Sequence, residues 1–196
     1  SGLEGFKNGL ARFEASLLKN EVDLNQLLNS FDGNFGLAVT LKPEQMTMIP
    51  VGIGKFVQIP QPGIAIFIKV KDDYTFNVIK KKLAPVIPQP APGAAQPKPD
   101  EKRIDIMLPL PLPVPLMPVI VQEDGYIIAA TNPALLDSIR AAKKNGNGLI
   151  VTEEFKKLSA NIPENGSAFK FIGSNFAKTL ANVQTQIMMS SAKGDP

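Results

Sequence analysis

A chain of 196 residues with 44% hydrophobic and 20% charged side chains has the size and composition of one globular domain with a real core. Its net charge of +3 is modest and its lysines are scattered in pairs and triplets, with three arginines, two tyrosines and no tryptophan, which argues against a nucleic-acid partner. It contains no cysteine and no histidine, so disulfides, thiolate nucleophiles, imidazole bases and the usual zinc, copper and haem ligands are excluded, and no cofactor is expected.

In chain order, Phe6, Leu10, Phe13 and Leu17 recur at helical spacing. Leu24, Leu27, Leu28 and Phe31 repeat that pattern until Asp32-Gly33 breaks it. A strand is expected over 35–41, then an extended, glycine-punctuated stretch over 46–58 that ends in a turn at Pro60-Gln-Pro-Gly63. Ile64, Ile66, Ile68 and Val70 alternate as one face of a strand. Asp72 or Asp73 then caps a helix with Phe76, Ile79 and Leu83 on its buried side.

Proline and small residues dominate about 85–103, which reads as a mobile surface loop because it has too little apolar bulk to order itself. A strand begins near Ile104. The runs 119–123 and 126–130 flank Asp124-Gly125, a tight-hairpin signal. Thr131-Asn132-Pro133 starts a helix with Leu135, Leu136 and Ile139 apolar, and Asn145-Gly-Asn-Gly148 ends it. Thr152 opens a short helix carrying Phe155 and Leu158. A strand over 167–172 leads to a last helix, capped by Ser174 or Asn175, with Phe176, Leu180, Val183 and Ile187 inward.

A strand followed by a capped amphipathic helix thus recurs at 64–83, 126–142 and 168–188. With the hairpin, this predicts an α+β fold, a mainly antiparallel sheet covered by amphipathic helices, as one domain over 1–196. The start Ser1-Gly2-Leu3, without methionine, and the polar end at Pro196 read as the limits of a piece of a longer protein.

The stretch LPLPLPVPLMP (108–118) lies within sixteen consecutive apolar residues, 106–121. That is short of the roughly twenty needed to span a membrane as a helix, and its prolines would break one. No membrane-spanning segment is therefore expected. In a strand, spacing by two places Pro109, Pro111, Pro113 and Pro115 on one face and Leu110, Leu112, Val114 and Leu116 on the other. The prolines also delete N–H donors along a single edge, which suits an edge strand. With Met117, these four residues are the candidate interaction surface, either inward-packed or a docking face for a partner.

Chemical motifs are thin. Ser16-Leu-Leu-Lys19 has the S-x-x-K form of serine acyl-transferases but lacks their companion S-D-N and K-T-G elements. Lys82-x-x-Pro85-x-x-Pro88 is a short, generic proline motif. The carboxylate pairs Asp72-Asp73, Asp100-Glu101, Glu123-Asp124 and Glu153-Glu154 all have structural explanations as caps, loop and turn residues. Gly52-Ile-Gly54-Lys55 is neither a P-loop nor a dinucleotide fingerprint.

The runs DLNQLLNSFDGNFGLAVTL (23–41), PGIAIFIKVKD (62–72), DGYIIAATNPALLDSIRAA (124–142) and EEFKKLSANIPENGSAFKFI (153–172) together resemble a group of uncharacterised exported bacterial proteins. The resemblance implies a periplasmic or extracellular location and continuation into further similar units, and it brings no catalytic residues. The expected function is a non-enzymatic structural or interaction module of the bacterial envelope. Its partner would be the remainder of its own polypeptide or another envelope protein. The alternative is binding of an apolar small molecule, lipid or peptide.

Overall fold

The computed structural model describes residues 21–52, 55–86, 102–107, 117–160, 162 and 166–192, with positions 4, 8, 15 and 19. Phe6, Leu10, Phe13 and Leu17 lie outside the described residues, but Glu4, Asn8, Ala15 and Lys19 are helical and exposed.

Helix α1 (Leu24–Ser30) starts at Asp23, whose carboxylate accepts the Gln26 N–H at 3.0 Å. It ends one residue earlier than its leucine spacing implies. Phe31 is extended, and the Ser30 carbonyl is bonded instead by the Lys71 N–H at 2.8 Å, which draws the chain into the sheet. Strand β1 then runs from Phe31 to Gly52 and β2 from Lys55 to Val70. Asp32-Gly33 does not end the element. Gly33 at φ +78° makes a local irregularity inside β1, a conformation glycine adopts without a steric penalty.

The expected turn at Pro60–Gly63 is corrected: β2 passes straight through it. Interior prolines are tolerated there because of where β5 (Tyr126–Ala130) stops. Its ladder with β2 runs from the Val70 N–H on the Gly125 carbonyl, 2.9 Å, to the Thr131 N–H on the Ile64 carbonyl, 3.0 Å. Pro60 and Pro62 lie beyond that end, so their missing N–H groups cost no bond to β5.

Helix α2 (Tyr74–Leu83) follows, then a 3-10 turn over Ala84–Val86. Strand β3 (Arg103–Asp105) pairs antiparallel with β4 (Val119–Glu123), Ile104 opposite Ile120. The loop expected over 85–103 therefore stops short at both ends, since residues 84–86 are helical and Arg103 is already in β3. Residues 87–101 lie outside the described set. Asp124 at φ +52° and Gly125 at φ +76° close the β4–β5 hairpin as a type I′ turn. Among the described residues the strand order is β1-β2-β5-β4-β3, and the fold is α+β with an antiparallel sheet.

Two compact units emerge from the packing. The first holds α1, α2, β3, β4, β1 to Leu37, β2 from Ile66 and β5 to Ala129. Its core is Val70, Phe76, Ile104 and Ile127, with Phe31, Ile68, Ile79, Leu83, Ile106 and Ile120 packed against them. Burial of Phe76 alone is worth about 3 kcal/mol. Val119 and Val121 are also buried, and they alternate with Ile120, so β4 is covered on both faces.

The second unit holds residues 38–65 and the chain from Ala130 onward. Helix α3 (Pro133–Lys144) begins with Asn132, which accepts the Leu135 N–H at 2.8 Å, and proline takes the first helical position. Leu135 and Leu136 are buried, as are Val57, Ala65 and Ala130. Here Ala65 of β2 is fully buried while Ile64 is exposed. A 3-10 turn (Leu149–Val151) and helix α4 (Glu153–Ser159) follow, with the Thr152 hydroxyl accepting the Phe155 N–H at 3.3 Å.

The third strand–helix repeat is incomplete. Residues 166–173 form no strand, and helix α5 (Ser174–Ala192) follows them directly. Its cap is not Ser174 or Asn175. The Glu154 carboxylate of α4 accepts the Ser174 N–H at 2.7 Å and supplies the negative charge that a helix start favours.

Candidate interaction surface

Of the surface expected from the proline stretch, Leu110, Leu112, Val114 and Leu116 lie outside the described residues. Met117 is described, and it is exposed. Both flanks of the stretch are anchored, because the Ile106 N–H bonds the Pro118 carbonyl at 2.8 Å and extends the β3–β4 ladder by one step.

The structure exposes apolar side chains elsewhere. On β1, the outermost of the described strands, Phe35 is 68% and Leu37 60% exposed, and Val39 is exposed as well. The intervening Gly36, Ala38 and Thr40 are half-buried. The strand therefore turns its small residues inward and its large ones out. Gly36 faces the Phe67 side chain, which a Cβ there would meet at 3.5 Å, an ordinary van der Waals contact. Alternation in the sequence revealed the strand but could not say which of its two faces was covered.

In the second unit apolar side chains are exposed around α4 and α5, among other places. Phe155 packs edge-on to Phe169 at 5.6 Å between ring centroids and meets Phe171 at the same separation. Leu158, Phe169 and Ile172 remain exposed around this cluster. Along α5, Phe176, Val183 and Ile187 are half-buried as expected, but Leu180 is 50% exposed and Thr179 takes its place on the inner face. Met188 and Met189 are 65% and 62% exposed. No residue of α5 from 174 to 189 is buried, although the helix is 19 residues long.

Polar side chains form structural ties. The Ser30 hydroxyl donates to Asp72 Oδ1 at 2.6 Å and accepts from the Thr75 hydroxyl at 2.9 Å, and the Tyr74 N–H also donates to Asp72 Oδ1 at 2.9 Å. These donors, Ser30 first, hold the Asp72 carboxyl below the usual carboxylate range. Ser30 is fully buried, and this hydroxyl–carboxylate relay joins the end of α1 to the start of α2. Asp73 takes Lys102 as its ion partner and accepts from Gln122 Nε2 at 2.9 Å. Gln122 Oε1 is buried without a partner among the described residues.

Lys69 and Asp32 pair at 2.7 Å on neighbouring strands. That contact lowers the Asp32 pKa and raises that of Lys69. Lys81 similarly holds Glu21 low. Glu153 pairs with Lys156 at 2.8 Å one turn on, while Glu154 caps α5. Of the S-x-x-K motif, Ser16 lies outside the described residues and Lys19 is exposed on a helix. The Gly52–Lys55 motif falls where β1 ends and β2 begins, with Ile53 and Gly54 outside the described residues. The Asp100-Glu101 pair and Pro88 lie outside them too. Among the described residues no three acidic side chains gather to hold a metal ion, and no helix is long and apolar enough to cross a membrane.

Comparison with protein-family models, with curated proteins and with solved structures returns no match.

Proposed function

We propose that this chain is a non-enzymatic interaction module of an exported bacterial protein, one that works by laying apolar surface against a protein partner. The partner is the remainder of its own polypeptide or another envelope protein. The observation that carries the reading is α5, a 19-residue helix in which no residue from 174 to 189 is fully buried and Leu180, Met188 and Met189 are exposed. Helical segments gain most of their stability from packing an apolar face, so a helix left half-covered favours a further surface. Methionine suits such a surface because its flexible thioether adapts to irregular neighbours. An exported setting is supported by the resemblance of the four sequence runs quoted above.

Native mass spectrometry of the protein isolated from its own cells, at full natural length, tests this. The expected result is a complex whose extra mass is protein, lost when Leu180→Asp and Met188→Asp are introduced together. A bare monomer that is indifferent to those substitutions would sink the proposal. A low-mass organic adduct released by denaturation would replace it with carriage of an apolar ligand.

A further inference from the structure

The loop after α3 holds two asparagine–glycine steps in succession, Asn145-Gly146 and Asn147-Gly148, and all four residues are exposed. Asparagine followed by glycine is chemically labile. The glycine nitrogen attacks the asparagine side-chain carbonyl, forming a C–N bond and a five-membered succinimide. The N–H proton passes to water or hydroxide, and the side-chain nitrogen leaves as ammonia. Water then opens the ring to aspartate or isoaspartate. Glycine favours this because it has no Cβ to block the approach. By sequence the two steps are equivalent.

We infer that Asn147 is a site of spontaneous deamidation and that the fold protects Asn145. The protection comes from how α3 ends. Gly146 sits at φ +64°, its N–H donates to the Lys143 carbonyl at 3.3 Å, and the Asn147 N–H donates to the Ala142 carbonyl at 2.9 Å. This pair of bonds is a Schellman motif. The N–H of Asn145 is itself bonded to the Ala141 carbonyl at 3.0 Å. The attacking nitrogen for Asn145 is thus a committed donor in a backbone fixed on both sides.

Gly148 is different. Its φ of −71° and ψ of 174° place it in extended backbone, no described residue accepts its N–H, and nothing stands within 4 Å of where a Cβ would be. The Gly148 carbonyl accepts the Val151 N–H at 3.2 Å, but its nitrogen, unlike that of Gly146, holds no hydrogen bond that must break before it loses its proton. Reaction adds a carboxylate near the carbonyl end of α3, which the helix dipole disfavours, and the isoaspartate form lengthens the backbone between α3 and the Leu149–Val151 turn.

The test is peptide mapping of the folded protein during incubation at mildly alkaline pH, with isoaspartate scored by enzymatic methyl labelling and each site located by fragmentation. Asn147 should convert about tenfold or more faster than Asn145, since freeing Gly146 breaks two backbone hydrogen bonds. In denaturant the two should converge. Gly148→Ala should slow conversion at Asn147 while leaving the thermal melt unchanged, because alanine accepts that backbone and its methyl meets open space. Equal rates in the folded protein, a faster Asn145, or no conversion at either site while both react in denaturant would each overturn the assignment.

Discussion

Gly63 shows how much one missing side chain can decide. A Cβ there would stand 2.7 Å from the Thr40 hydroxyl and 3.2 Å from Leu135 Cδ2, so α3 approaches the sheet only because the position is bare. Gly63→Ala should cost about 1–3 kcal/mol in urea unfolding, the range for overpacking. Gly148→Ala is the matched control and should be near neutral. Asp72 gives the residue-scale pH prediction. Its folded pKa lies below the unfolded one, so its stabilisation is present above the unfolded value and is lost as pH falls through the folded value. Asp72→Asn should lower the urea midpoint at neutral pH and flatten its decline in acid. An unchanged acid limb would mean that the Ser30 and Tyr74 contacts contribute nothing to folding.

At the scale of elements, the distance between partners sets how much can be foreseen. Caps made by residues within a turn were legible: Asn132-Pro133 for α3, Thr152 for α4 and Asp124-Gly125 for the hairpin. Asn132→Ala should destabilise by about 1 kcal/mol by chemical denaturation, and Asn132→Gly by only a few tenths. The start of α5 was misread because its cap, Glu154, stands twenty residues upstream. Glu154→Ala should therefore speed hydrogen exchange at the Ser174 amide and along the first turn of α5, while α3 keeps its protection. Strand lengths were misjudged for a related reason. Pro60 and Pro62 signal a turn locally, and they are harmless in β2 only because β5 ends before reaching them.

At the scale of the molecule, the exposed row on β1 carries a solubility cost. Outer strands with alternating apolar side chains are templates for association, and the inward glycine and alanine leave the large residues outside. The chain carries its lowest net charge near its pI of about 9.0. Light scattering should accordingly rise from neutral pH toward that value. Phe35→Thr combined with Leu37→Thr should suppress the rise and leave the urea midpoint within about 0.5 kcal/mol, as expected for exposed positions. A large loss of stability would show instead that these side chains are covered.

By itself the sequence determined the class of fold, the hairpin, the apolar side of α2 and the opening of α3. Each depends on periodicity or on side chains reaching the backbone a few residues away. It also removed thiol, imidazole and common transition-metal chemistry through composition alone. Only the tertiary structure decided which face of β1 is bare, that Ala65 rather than Ile64 is buried in β2, that Glu154 caps α5, and that Asn145 and Asn147 differ. A strand's two faces are equivalent until something packs on one of them. A carboxylate has no helix to cap until the chain returns to it, and two identical dipeptides diverge only when one backbone is tied into the end of a helix.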